Sequence, residues 1–136
     1  MPQDEKKAAK TISRLQEAAK NEPIAKFLGM KLLELTPGYA KVTMKLKPEH
    51  QNFNGYVFGG IVAAIADQAF AYGSNSLNHP SIAVEFHINL VSAPEPNDEL
   101  TAECKGRECE VCQDLGRYDL ENLKCEMGEC RMVLKE

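Results

Sequence analysis

The sequence predicts an α+β domain in which an antiparallel sheet wraps around one long helix at about residues 59–75, with a second helix at the N-terminus. Three observations lead there. From Ile61 to Tyr72 every side chain is apolar except Asp67 and Gln68, so this helix must be covered on most sides. Segments before and after it alternate apolar and polar residues with a period of two, as half-buried strands do. The order is helix, two strands, the apolar helix, then four strands. It lacks the βαβ alternation of a parallel sheet.

Taken in order, residues 4–20 carry Ala8, Ile12, Leu15 and Ala19 at helical spacing among charged residues. Pro23 opens a short helical turn that Gly29 closes. KLLEL (31–35) and YAKVTMKL (39–46) flank the turn dipeptide Pro37-Gly38 and read as a hairpin. In the second of these, Ala40, Val42, Met44 and Leu46 share the buried face. The loop PEHQNFNGY follows, and Gly59-Gly60 leads into the apolar helix. Residues 81–91 alternate again, with Ile82, Val84, Phe86, Ile88 and Leu90 on one face and Glu85, His87 and Asn89 on the other. Further strands are expected at about 99–108, 113–124 and 129–135. The length of 136 residues suits one domain, with residues 1–22 as a helical extension.

A formal net charge of -4 argues against a general nucleic-acid binder. The charged N-terminus has no signal-peptide core, and no apolar run reaches the roughly 20 residues that span a bilayer. A cytoplasmic protein without a membrane partner is expected. The five cysteines are then expected as thiols. Cys109, Cys112, Cys125 and Cys130 resemble zinc knuckles in spacing, but a strand over 113–124 separates the two pairs by about 40 Å at roughly 3.3 Å per residue. No metal is expected, although Cys125 and Cys130 flank a tight turn where an oxidised pair is conceivable.

Two features carry chemistry. A helix starting at Gly59 leaves its first N–H groups without partners at the positive end of the dipole, and glycines let a ligand oxygen approach them. Asp67 lies two turns on, on one stripe with Gly60, Ala63 and Ala64. A carboxylate inside an apolar helix either caps a neighbouring loop, pairs with a lysine, or serves as a base or nucleophile. Along the helix it stands about 10 Å from the glycines. One carbonyl therefore cannot use both within a single chain, and a symmetric dimer sharing the site is expected. His50 is a loop residue near the same place. Lys105, Arg107 and Arg117, near adjacent strand ends, are candidates for an anionic ligand.

The pattern Asn52, Gly55, Gly59-Gly60 and Asp67, followed by Ala-Phe-Ala-Tyr and Asn75-Ser76, resembles the hotdog-fold acyl-CoA thioesterases of the phenylacetate-degradation (PaaI-like) family. The family motif is roughly N-x-x-G-x-x-H-G-G, six residues, then D. FLGMKLLELTPGYAKVTMKL, IAVEFHINLVSAP and GRYDLE agree with it, so the resemblance covers about residues 24–135. It implies a hotdog fold and hydrolysis of a CoA thioester by a homodimer or homotetramer, with no cofactor. Asp67 is then the base or nucleophile that activates water. The N–H of Gly59, with that of Gly60, polarises the carbonyl. Asn52 holds the thioester or the water.

Two positions depart from the pattern. Phe58 stands where the family has histidine, and Ala83 where many relatives place Ser or Thr to orient water. Phe53, Tyr56, Phe58, Phe70 and Tyr72 are candidates to shape an acyl pocket. A non-catalytic acyl-CoA binding or sensing protein and a dehydratase on a related fold are the alternatives.

Overall fold

The structure is a computed structural model that describes residues 2–77, 90, 93–106 and 128–135. Helix α1 spans Gln3–Lys20, with Asp4 and Glu5 in its first turn and Lys20 in its last, which complements the helix dipole. None of its residues is buried. It docks through Ile12, Leu15 and Ala19, three of the four residues picked out by their spacing, onto Leu35, Ala40 and Tyr72. Helix α2 spans Pro23–Leu28. Proline sits in its first turn and Gly29 ends it in the left-handed conformation at φ 74.

Among the described residues four strands form one antiparallel sheet in chain order: β1 (Met30–Thr36), β2 (Tyr39–Lys45), β3 (Glu99–Gly106) and β4 (Gly128–Lys135). The strand expected at 113–124 lies outside the described residues, as does the one expected at 81–91 apart from Leu90 and the end of the one expected at 99–108. In β1 the pairing jumps from Leu32↔Val42 to Glu34↔Lys41, so Leu33 is an extra residue. This bulge explains an otherwise awkward pattern. Met30 and Leu32 face inward before it, and Leu35 faces inward after it. Without the extra residue Leu35 would point to solvent.

Helix α3 (Gly59–Asn75) crosses the sheet. Val62, Ile65 and Ala69 pack on Val42, Met44, Leu100, Ala102 and Cys104. At Gly73 the approach is close: a Cβ there would lie 3.1 Å from Cys104 Sγ. On the other face of the sheet Lys45 pairs in register with Glu99, and Lys41 with Glu103, so opposite charges stand on neighbouring strands.

The end of α3 is tied to the β1–β2 turn by Ser76. Its buried hydroxyl accepts from the Gly38 N–H at 2.8 Å and lies 2.6 Å from the Gly73 carbonyl oxygen. Ser76→Ala leaves that N–H without a partner in a buried place. It is expected to destabilise the fold by about 1–3 kcal/mol, read from urea unfolding midpoints.

A second polar knot joins the α1–α2 junction to α3. The Gln68 amide donates to both oxygens of Glu22, at 3.0 and 2.9 Å, and the Tyr72 hydroxyl donates to the same carboxylate. Burial, this hydrogen bond and the Glu22 charge raise the Tyr72 pKa above its ordinary value of 10. The unfolded chain therefore loses the phenolic proton first as pH rises. Stability from this group is fully present below about pH 10 and falls above it. Chemical denaturation between about pH 9 and 11 should show a steeper loss for the wild type than for Tyr72→Phe.

Candidate active site at the start of α3

The loop before α3 is shaped by Asn52. Its Oδ1 accepts from the N–H groups of Asn54 at 2.9 Å and Tyr56 at 3.1 Å, an Asx-type turn. The Asn52 N–H donates to the Tyr56 carbonyl at 2.7 Å, and Gly55 takes φ 78 at the tip. Gly55 is thus needed for the turn itself. His50 is buried. Its Nδ1 accepts from the Lys47 N–H at 3.1 Å, and its carbonyl accepts from the Phe58 N–H at 2.9 Å. This histidine holds the loop against the helix start instead of standing solvated, as the sequence alone suggests for a loop residue.

Phe58 caps α3 in an extended conformation, with no side-chain hydrogen bond to the helix. Its ring lies against Gly60, where a Cβ would come within 2.6 Å of it. At Gly59 a Cβ would come within 2.9 Å of the side chain of Leu90. Glycine at both positions keeps the backbone open where phenylalanine and leucine crowd it. Phe53, Tyr56 and Phe58 are all exposed around this opening, Phe53 at 96%.

Asp67 overturns one expectation. Within a single chain it is exposed, and among the described residues it has no ion-pair partner. Of its stripe, Gly60 and Asp67 are exposed and Ala63 is half-buried, while Ala64 packs against the core, so the carboxylate stands on the outer edge of α3 and is not buried within the chain. Its neighbour Gln68 is buried instead, and it meets Glu22. Sequence reading missed this Glu22–Gln68–Tyr72 cluster. Its one visible signal is Gln68, the second polar residue in the apolar run.

The other expected site residues fall into two groups. Phe70 packs against the main core, and Lys105 is exposed on β3 between Tyr39 and Glu129. Lys105 follows Cys104, which meets Gly73, so it stands near the far end of α3, roughly 20 Å from Gly59 along the helix. Ala83, His87, Arg107 and Arg117 lie outside the described residues, as do Cys109, Cys112 and Cys125. Among the described residues no group of three or more His, Cys, Asp or Glu side chains is placed to hold a metal. No described helix is long and apolar enough to cross a membrane.

An antiparallel sheet crossed by one central helix is the arrangement of the hotdog fold, and comparison with known proteins places the chain in the thioesterase class of that fold. Residues 54–106 match the thioesterase superfamily. The chain is 32% identical over 101 residues to the acyl-coenzyme A thioesterase PaaI of Escherichia coli, covering 74% of this chain and 71% of that one. It is 36% identical over 100 residues to an Archaeoglobus fulgidus protein that bears an esterase name, covering 73% of this chain but 65% of that one. The solved E. coli PaaI structure superposes with a TM-score of 0.66 at 30% identity, over 76% of this chain and 72% of that one. The chain belongs to the thioesterase superfamily, and its near relatives carry hydrolase names.

Proposed function

We propose that this protein hydrolyses an acyl-CoA thioester to the free acid and coenzyme A, using Asp67 of one copy and the α3 start of another. The observation that carries the reading is the outward placement of both elements on one helix. Gly59-Gly60 present N–H groups without partners inside the helix at one end, and Asp67 presents an exposed carboxylate two turns away. Among the described residues neither has its complement on the same chain, and a two-fold arrangement of two helices supplies both.

The reaction then follows from these groups. The thioester carbonyl oxygen accepts from the Gly59 N–H, aided by the helix dipole. Asp67 takes a proton from water as the water oxygen bonds to the carbonyl carbon. The tetrahedral oxyanion is held at the same N–H. Its collapse breaks the C–S bond, and the departing coenzyme A sulfur takes up the proton that Asp67 holds, which releases the thiol and restores the carboxylate. Asn52 contributes by fixing the loop that precedes the glycines. Phe53, Tyr56 and Phe58 offer apolar surface to the acyl group.

The test is a panel of aliphatic and aromatic acyl-CoA substrates, read by thiol release, with wild type and Asp67→Asn side by side. Wild type turns over at least one of them, and the variant binds that substrate but fails to hydrolyse it. Binding without hydrolysis by wild type across the panel favours the sensing alternative, because the Phe58 ring already leans over Gly60.

A further inference from the structure

A cleft of about 500 Å³ lies between α1, α2 and β1, away from the α3 start. It exists because α1 touches the body of the protein along one stripe and buries none of its own residues. Ala19, Ala25, Met30 and Leu32 line it with apolar surface, and Lys20, Lys26 and Lys31 also line it. No carboxylate is among the described residues that line it. Lys20 meets Glu17 at 3.3 Å, whereas Lys26 and Lys31 have no ion-pair partner among the described residues.

This arrangement is unusual for a chain of net charge -4, in which acidic residues outnumber basic ones. Lys26 sits in the last turn of α2, where a cation complements the helix dipole. Lys31 lies on β1 and has no such helix end to answer. Three ammonium groups beside an apolar surface make a local field that an anion relieves. Ligand sites for small molecules commonly have about 300–1,000 Å³ and combine apolar walls with placed polar groups. The cleft has such a volume, and its described lining is divided between apolar residues and polar ones, Gln16 with the three lysines.

We propose that this cleft binds an amphiphile with one aliphatic chain and one anionic head, of the fatty-carboxylate class. The chain lies along Ala19, Ala25, Met30 and Leu32, and the head is received by Lys20, Lys26 and Lys31. Ammonium groups on flexible stems act as point charges, which suits a small carboxylate head. The proposal does not rest on the hydrolytic reading of the α3 start, so either can fail alone.

The experiment is calorimetric titration of the full chain with decanoate and with decan-1-ol as its neutral counterpart. Wild type should bind about one decanoate per chain, and the alcohol at least about tenfold more weakly. Lys26→Glu/Lys31→Glu should weaken decanoate binding at least about tenfold and leave any acyl-CoA hydrolysis unchanged. The pair Lys26→Gln/Lys31→Gln, which only removes charge, should weaken it in the same direction and serves if the reversed pair fails to fold. No decanoate binding by wild type overturns the proposal. So does equal binding of the alcohol, or undiminished decanoate binding by a folded double variant, which would place the ligand elsewhere.

Discussion

Asp67→Asn is expected to lower kcat for acyl-CoA hydrolysis by about 10²–10⁴-fold while leaving KM within a few-fold. The amide has the size of the carboxylate but cannot accept a proton from water. Its place on the outer stripe makes the change clean. Asp67 is exposed, and among the described residues no ion pair depends on it, so thermal unfolding should be unaltered. Val62, Ile65 and Ala69 hold the opposite side of the helix in the core. A variant that keeps its unfolding temperature and loses turnover separates chemistry from folding. Turnover that stays within about threefold of wild type removes Asp67 from the mechanism.

Gly59→Pro tests the other half of the site by deleting one N–H. The backbone is already suited to it. Gly59 is the first helical residue, where proline is well accepted and where the N–H has no partner within the helix. Phe58 is extended at φ -63 and ψ 125, as a residue before proline must be. The added ring carbons press on Leu90, which is half exposed and has room to shift. Removal of a donor aimed at a developing oxyanion typically lowers kcat by about 10²–10³-fold, and that loss is expected here with little change in stability. Steady-state kinetics against the best acyl-CoA of the panel, with a thermal melt as control, reads both quantities.

Much of the described sheet was legible because it depends on local pattern. Period-two alternation from Ala40 to Leu46 and the Pro37-Gly38 turn place β2 with the right face inward. The bulge at Leu33 was not legible, because an extra residue is defined by the partner strand and not by the strand that carries it. The same limit applies to α3. Helical spacing puts Gly60 and Asp67 on one stripe and shows that Gln68 faces another way, but it does not say which stripe meets the sheet. Burial came out opposite for the two polar residues: Gln68 turns in toward Glu22 and Asp67 turns out. His50 likewise reads as a loop residue until its ring nitrogen is seen to hold the Lys47 N–H.

The outward carboxylate also strengthens the case for two copies. A buried Asp67 would have needed a partner inside its own chain. An exposed one, on a stripe of small side chains, leaves the surface open for a second molecule. Mixing the two inactive variants addresses this directly. In a two-fold dimer the Asp67→Asn chain contributes an intact helix start, and the Gly59→Pro chain contributes an intact carboxylate. Each mixed dimer then holds one complete site and one doubly damaged site. After subunit exchange in equal amounts, roughly a quarter of wild-type turnover is expected to return. If exchange is verified by mass labelling and no activity returns, Asp67 and Gly59 do not act across two copies, and the account of the site is wrong.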